Sequence, residues 1–137
     1  MLFRSKTHRG DMPGIHIKNL FLRDRKKRNF LLVAEEDRKI DLKRLSNLIG
    51  CDRLSFGSAE RLMEMLGVRP GAVSPFSLIN DPNHKVSLLV DTALQTDQRI
   101  YAHPLVNDIT LGIEGGGLSR YFAHLGHEPR WLDLGHL

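Results

Sequence analysis

A lysine and an asparagine stand side by side in an otherwise apolar run near the start of the chain. The run is GIHIKNLFLRD, and its central polar pair is Lys18 and Asn19. In a strand of period two, Lys18 shares a face with Leu20 and Leu22. An ammonium fixed there can hold a phosphate or ribose oxygen, or stabilise negative charge developing on an ester carbonyl. The alternative is a structural lysine whose stem lies on apolar surface and whose ammonium stays in water.

Asn19 falls on the opposite face from Lys18 if the strand alternates strictly. Three explanations stay open at this point. The strand carries a bulge here, or Asn19 acts through its backbone, or its role is structural. With any of them, Asn19 remains a candidate for the same site as Lys18.

A short loop rich in glycine and proline is the second segment suited to chemistry. Proline at position 70 fixes φ and the next glycine accepts positive φ, so the two favour a tight turn. A stiff loop with free backbone N–H groups can hold a carbonyl oxygen as it becomes an oxyanion. A plain connector between a helix and a strand would fit the same spacing. The candidate residues are Gly71, Ala72, Val73, Ser74 and Pro75.

The histidines divide into one candidate and several structural residues. His103 precedes a proline, which favours extended geometry, and its imidazole can orient water or a ribose hydroxyl; a strand-end turn is the alternative. Asp108 follows as a further candidate. A metal site at His124 and His127 is not predicted, because a glycine is expected to end the helix between them and no ligand cluster joins them.

The charge pattern adds a candidate contact with nucleic acid. The chain has 137 residues, a formal net charge of +4 and a pI near 9.5, which permits RNA binding without requiring it. Four basic residues lie together between two predicted strands, namely Arg25, Lys26, Lys27 and Arg28. They form either a solvated hairpin turn or a loop that contacts phosphates.

The predicted elements interleave irregularly. Strands are expected at 16–23, 29–34, 53–56, 86–90, 99–102, 109–113 and 130–134, helices at 41–50, 58–67 and 118–125, and an irregular segment at 1–13. Since the chain shows no steady βαβ alternation, we expect an α+β type of α/β fold. Its form would be a curved mixed sheet or partly closed barrel with about three packed helices.

Length and composition limit the class of protein. A chain of 137 residues suits one domain with one core. No apolar run has the length of a membrane span, and the first residues lack the apolar region of a signal peptide. The single cysteine, Cys51, excludes an internal disulfide and is expected to be packed rather than nucleophilic. These features favour the cytoplasm.

Three segments together resemble a known family. The lysine–asparagine strand, GVRPGAVSPF from Gly67 to Phe76 and AHPLVND from Ala102 to Asp108 resemble prolyl-tRNA editing domains of the YbaK/ProX type, particularly the free-standing, alanine-specific branch. The resemblance implies the YbaK/aminoacyl-tRNA synthetase-associated domain fold and no metal or other cofactor. It implies catalytic roles for Lys18, Asn19 and His103, and a substrate pocket bordered by the 71–75 loop and Asp108.

The resemblance implies hydrolysis, in trans, of alanine from mischarged tRNA(Pro). The partners would be this tRNA and prolyl-tRNA synthetase, and the short loop would exclude prolyl by steric clash. Two alternatives stay open: a non-catalytic module that binds tRNA or a synthetase, and an editing domain for another amino acid, such as Cys-tRNA(Pro). The family's leading strand and helix are expected to be absent, which would expose a sheet edge and favour a homodimer.

Overall fold

Eight strands and three α-helices make up the part of the chain that the computed structural model describes, which is residues 2–5, 14–96, 98–102, 110–114 and 116–136. The strands are β1 (Leu2–Ser5), β2 (Ile15–Asp24), β3 (Asn29–Glu35), β4 (Leu54–Phe56), β5 (Val86–Asp91), β6 (Ile100–Ala102), β7 (Thr110–Ile113) and β8 (Arg130–Leu132). The helices are α1 (Leu42–Ile49), α2 (Ala59–Leu66) and α3 (Gly117–Leu125). Short 3-10 segments lie at Pro70–Ala72, Pro75–Asn80, Thr92–Leu94 and Leu134–His136.

The strands form one mixed sheet. Its order is β1-β7-β6-β2-β3-β5-β8, with β4 joined to β2 outside this path. Antiparallel pairs join β1 to β7, β7 to β6, and β2 to both β3 and β4. Parallel pairs join β2 to β6, β3 to β5 and β5 to β8. The predicted mixed sheet with about three helices is confirmed.

Strand β2 changes its partner partway along one edge. Its first residues pair with β6, Ile15 opposite Ile100 and His16 opposite Tyr101. Its last three residues pair with β4, beginning with Leu22 opposite Phe56. Among the strands that the structure describes, none pairs with residues 18–20 on this edge. The lysine–asparagine pair therefore lies where the sheet divides.

The two faces of the sheet bury two separate cores. The first core contains alternate residues of β2 and β3 together with residues of α2 and α3, including Ile17, Phe21, Leu31, Val33, Leu62, Leu66, Leu118 and Phe122. The second core contains the other alternate residues and the apolar side of α1, including Leu22, Leu32, Ala34, Leu45 and Ile49. Because β2 faces both cores, its neighbouring residues serve different layers.

Local capping signals decide where the helices begin and end. Asp41 accepts hydrogen bonds from the backbone N–H groups of Lys43 and Arg44 at the start of α1. Ser58 does the same for Arg61 in α2. Gly50 and Gly67 end these helices with φ of 71° and 67°, a conformation that glycine adopts without strain. These caps coincide with the predicted bounds of the two helices, 41–50 and 58–67.

One prediction about the start of the chain is wrong. Residues 1–13 were expected to be irregular, but Leu2–Ser5 form β1, which pairs with β7 from Leu2 opposite Ile113 to Ser5 opposite Thr110. This short segment has no clear strand periodicity, and its pairing joins residues that lie more than a hundred positions apart in the chain. In the part of the chain that the structure describes, no helix is both long and apolar enough to cross a membrane.

Candidate functional site

Lys18 lies on the face of β2 that belongs to the second core. The pairing of β2 with β3 is regular from Ile17 to Arg23, so this stretch contains no bulge. Lys18 is opposite Ala34, a residue of the second core. Its half-buried side chain donates a hydrogen bond from Nζ to the backbone carbonyl of Arg38. The ammonium is thus held at the loop that follows β3.

A buried carboxylate fixes the loop that receives this ammonium. The side chain of Asp91 is fully buried, and its Oδ2 accepts a hydrogen bond of 3.0 Å from Nε of Arg38. The backbone N–H groups of Glu35 and Ala93 also donate to it, at 3.1 and 2.9 Å. The hydrogen bond with Asp91 raises the pKa of Arg38 above its ordinary value. Asp91 therefore positions the carbonyl to which Lys18 is bonded.

Sequence reasoning missed both Arg38 and Asp91. The available signal was an aspartate at the end of VSLLVD, a strand buried at five of its six positions. A carboxylate in such a place needs a cation or several N–H donors, since burying it alone is very costly. The sequence does not show which cation that is, because Arg38 lies 53 residues away.

Asn19 lies on the other face, as strict alternation requires. It is opposite Val33, which belongs to the first core. Its Oδ1 atom is buried and has no hydrogen-bond partner within the described structure. Of the three explanations considered for Asn19, the bulge is wrong. An unpaired buried amide oxygen lowers the stability of the folded state. This atom can therefore accept a hydrogen bond from a hydroxyl group or water.

The loop of residues 71–75 is held by its own hydrogen bonds. Ser74 is fully buried and caps the second 3-10 segment: its Oγ accepts from the N–H of Phe76, and its own N–H donates to Oγ of Ser77 at 3.2 Å. Pro75 is also buried. These bonds brace the loop at its C-terminal end.

Two backbone donors of the loop remain available. In the described part of the chain, the N–H groups of Gly71 and Val73 have no protein acceptor, whereas the N–H of Ala72 donates to the carbonyl of Arg69 at 2.9 Å. The turn at Pro70–Ala72 is a 3-10 turn, and Gly71 does not use positive φ as the sequence suggested. Ala72 and Val73 pack against the first core.

The candidate residues therefore separate into two groups. Asn19 and the 71–75 loop both lie on the side of the first core. The Lys18 ammonium is bonded to Arg38 on the other side of the strand, so the structure does not bring it to the loop. His103 and Asp108 lie outside the described residues; His103 directly follows Ala102, the last residue of β6.

The basic turn between β2 and β3 is exposed and internally braced. Arg25, Lys26, Lys27 and Arg28 are all exposed. The N–H and Nε of Arg28 donate to the buried carboxylate of Asp24, at 2.8 and 2.6 Å. Burial alone would raise the pKa of Asp24, but the hydrogen bonds and charge of Arg28 outweigh it and the pKa is lowered. Arg28 thus braces the turn, while the other three cations face solvent.

His127, His84 and Cys51 have structural environments. His127 is buried, with Nε2 3.2 Å from the carbonyl oxygen of Asp81 and its ring centre 4.3 Å from that of His84. Among the residues that the structure describes, no group of three or more metal-binding side chains occurs. The Cys51 thiol is partly buried, and burial raises its pKa, which disfavours the nucleophilic thiolate.

Comparison with known proteins identifies related sequences. The model of the aminoacyl-tRNA editing domain family matches residues 5–121. The prolyl-tRNA editing protein ProX of Acetoanaerobium sticklandii is 45% identical over 119 residues, which are 86% of this chain and 73% of that protein. A prolyl-tRNA synthetase associated domain-containing protein of Danio rerio is 35% identical over 129 residues, covering 93% of this chain and 70% of that one.

Solved structures share the fold at low sequence identity. A crystal structure described as a candidate trans-editing enzyme for prolyl tRNA synthetase superposes with a TM-score of 0.67 and 20% identity. The match covers 90% of this chain and 73% of the other. An identity this low supports the architecture alone.

The Asp91–Arg38 pair generates a stability prediction. We expect Asp91→Ala to lower the free energy of unfolding by about 3 kcal/mol, because it leaves the Arg38 guanidinium and two backbone N–H groups without their acceptor. Denaturant unfolding monitored by circular dichroism measures this change. Glu64→Ala, which breaks the exposed pair with Arg61, is the matched control and should cost less than about 1 kcal/mol. Equal losses in the two variants would contradict the assignment.

His127 generates a prediction about pH. Burial lowers the pKa of His127, and His84 lowers it further, although the hydrogen bond to Asp81 opposes both. The unfolded chain therefore binds the proton first as the pH falls below about 6.5, so the free energy of unfolding should decrease there.

Unfolding of two histidine variants above and below this pH tests the prediction. His127→Gln should lose part of the pH dependence, whereas His124→Gln, at an exposed position, should keep that of the wild type. An unchanged pH dependence in His127→Gln would show that another group is responsible.

Proposed function

Because the chain belongs to the aminoacyl-tRNA editing domain family, we propose that it hydrolyses, in trans, the ester linking alanine to tRNA(Pro). The observation that carries the proposal is an unpaired amide oxygen of Asn19 on the same side of the sheet as two free backbone donors. Relatives named as a prolyl-tRNA editing protein and as prolyl-tRNA synthetase associated proteins support this tRNA and synthetase as partners.

In the proposed reaction, water attacks the carbonyl carbon of the alanyl ester. The backbone N–H groups of Gly71 and Val73 donate to the carbonyl oxygen as negative charge develops on it. The bond to the ribose oxygen then breaks, that oxygen takes one proton derived from the water, and alanine leaves as its carboxylate while the second proton passes to solvent. The Asn19 Oδ1 accepts a hydrogen bond from the attacking water or from the neighbouring ribose hydroxyl.

Lys18 and His103 take supporting roles in this proposal. A phosphate or ribose oxygen of the acceptor end replaces the Arg38 carbonyl as the partner of the Lys18 ammonium. With a phosphate, the exchange replaces a neutral acceptor by a charged one. His103 orients water or the ribose hydroxyl. Its place in the chain supports this role, because it follows β6, the strand that runs parallel beside the start of β2.

The 71–75 loop sets the size of the amino acid in this proposal. Ala72 and Val73 have small apolar side chains that are half-buried against the first core, and the neighbouring Ser74 and Pro75 are buried. A wall that cannot move excludes a prolyl ring by clash, which discriminates more strongly than a lost methylene contact. Asp108 would border the same pocket.

A non-catalytic module that binds tRNA or a synthetase is the second candidate. The observation that favours it is the bond between the Lys18 ammonium and Arg38, which keeps this cation away from the loop. An editing domain for Cys-tRNA(Pro) is the third candidate, since a cysteinyl side chain is only slightly larger than the alanyl methyl group that the pocket would admit.

Deacylation of purified mischarged tRNAs tests the proposed activity. We expect turnover of Ala-tRNA(Pro), and a loss of about 10²- to 10³-fold in Lys18→Ala and in Asn19→Ala, because each removes a group that contacts the acceptor end or the reacting atoms. Lys39→Ala, at an exposed lysine outside the sheet, is the matched control and should retain wild-type rates.

The outcomes separate the three candidates. Lys18→Ala with wild-type activity would remove the proposed role of the ammonium. Binding of tRNA without turnover of any mischarged tRNA would favour the non-catalytic module. Faster turnover of Cys-tRNA(Pro) than of Ala-tRNA(Pro) would favour the third candidate.

The exposed basic turn generates a prediction about salt. If Arg25 and Lys26 contact phosphates, the double variant Arg25→Ala, Lys26→Ala should reduce the slope of log affinity for tRNA against log salt by about 2, since each contact releases counterions. Titrations at several salt concentrations measure the slope. Arg120→Ala, on α3, is the control and should leave the slope unchanged. An unaltered slope in the double variant would identify the basic turn as a solvated hairpin only.

A further inference from the structure

The large aromatic side chain of Phe56 is exposed beside the basic turn. Its ring is on β4, and 65% of the residue's surface is accessible to solvent. A single exposed apolar residue does not by itself indicate a binding site. The position of Phe56 relative to the cations and to the lysine–asparagine pair is what makes it informative.

Phe56 shares a face of the sheet with Lys18. It pairs with Leu22, and residues directly opposite each other in an antiparallel pair project to the same face. Leu22 and the half-buried Leu20 face the second core, which is also the face of Lys18. The four residue steps from Lys18 to Leu22 span about 13 Å along the strand. A few unpaired nucleotides can bridge that distance.

Cations lie at the other end of the same strands. The pairing of β2 with β4 ends at Asp24 opposite Leu54, and the exposed cations of the basic turn follow directly. The exposed Arg53 immediately precedes β4 and adds a cation at this end. Phe56 thus lies between a basic cluster on one side and the Lys18 ammonium on the other. Alternating positive charge and an exposed aromatic ring suits a strand of nucleic acid.

We propose that Phe56 is a stacking platform for an unpaired nucleotide of an RNA bound along β2 and β4. The phosphates would follow the cations from Arg53 and the basic turn toward Lys18, while one base lies on the phenyl ring. The occupant is a single-stranded RNA segment, because a duplex keeps the faces of its bases covered. The inference deepens the proposed function and rests on it for the direction of the strand, with the 3′ end toward Lys18.

Binding of RNA to Phe56 variants tests the inference. The probes are a short unstructured oligoribonucleotide and a blunt RNA duplex, titrated at fixed salt by fluorescence anisotropy. We expect Phe56→Ala to weaken binding of the oligoribonucleotide about 5- to 100-fold. Binding of the duplex and the salt slope should stay unchanged. Phe56→Trp should retain or improve the affinity, and Phe56→Leu should resemble Phe56→Ala because it lacks a π face.

Met63→Ala is the matched control, since Met63 is another exposed apolar residue, on α2. Its affinity should equal that of the wild type, and thermal unfolding should show all variants folded. Wild-type affinity in Phe56→Ala would overturn the inference. Wild-type affinity in Phe56→Leu would also overturn it, because it would indicate an apolar contact such as a protein partner makes. A wild-type protein that binds neither RNA would overturn it as well.

The deacylation assay keeps the two proposals separate. If the wild-type protein binds the oligoribonucleotide without turnover and Phe56→Ala loses that binding, the platform is supported and the proposed hydrolysis is removed. Turnover that depends on Lys18 but not on Phe56, with unchanged affinity for the oligoribonucleotide, would retain the hydrolysis and remove the platform.

Discussion

The hydrogen bonding of β2 on both of its edges is the constraint on which the rest of the structure depends. One edge pairs with β3 along most of its length, and the other pairs first with β6 and then with β4. A strand that joins three partners cannot shift its register without breaking all of these pairings. Both cores also depend on it, because Phe21 and Leu22 face opposite layers. The polar pair at its centre is therefore carried by the most constrained element of the described sheet.

Buried aspartates hold the loops around this strand. Asp24, Asp81 and Asp91 are each nearly inaccessible to solvent, and each accepts backbone N–H groups from residues close by in the fold. Asp24 and Asp91 also bind an arginine. Carboxylates placed in this way satisfy donors that a turn would otherwise leave unpaired, and they order loops that contain few apolar residues. The loop that carries Arg38 and the basic turn both owe their conformations to such a bond.

Local features of the sequence predicted most elements, and contacts between distant residues account for what it missed. Asp41, Ser58 and the glycines that follow α1 and α2 act within one helical turn, so their roles follow from the sequence alone. Strand β1 could not be recognised, because it exists through pairing with a strand more than a hundred residues later. For the same reason the sequence indicated Lys18 but not its partner, since the Arg38 carbonyl is brought there by the loop after β3.

If the 71–75 loop borders the substrate as proposed, the reciprocal bonds between Ser74 and Ser77 have a consequence for how selectivity changes over evolution. Because the loop is preorganised, a ligand loses little conformational entropy in ordering it, and the loop has little freedom to adapt to a larger one. The shape of the loop is therefore set when the chain folds, before any ligand binds. In the proposed function, replacements at Ser77, which lies outside the loop, would therefore alter the choice of ligand through the shape of the loop.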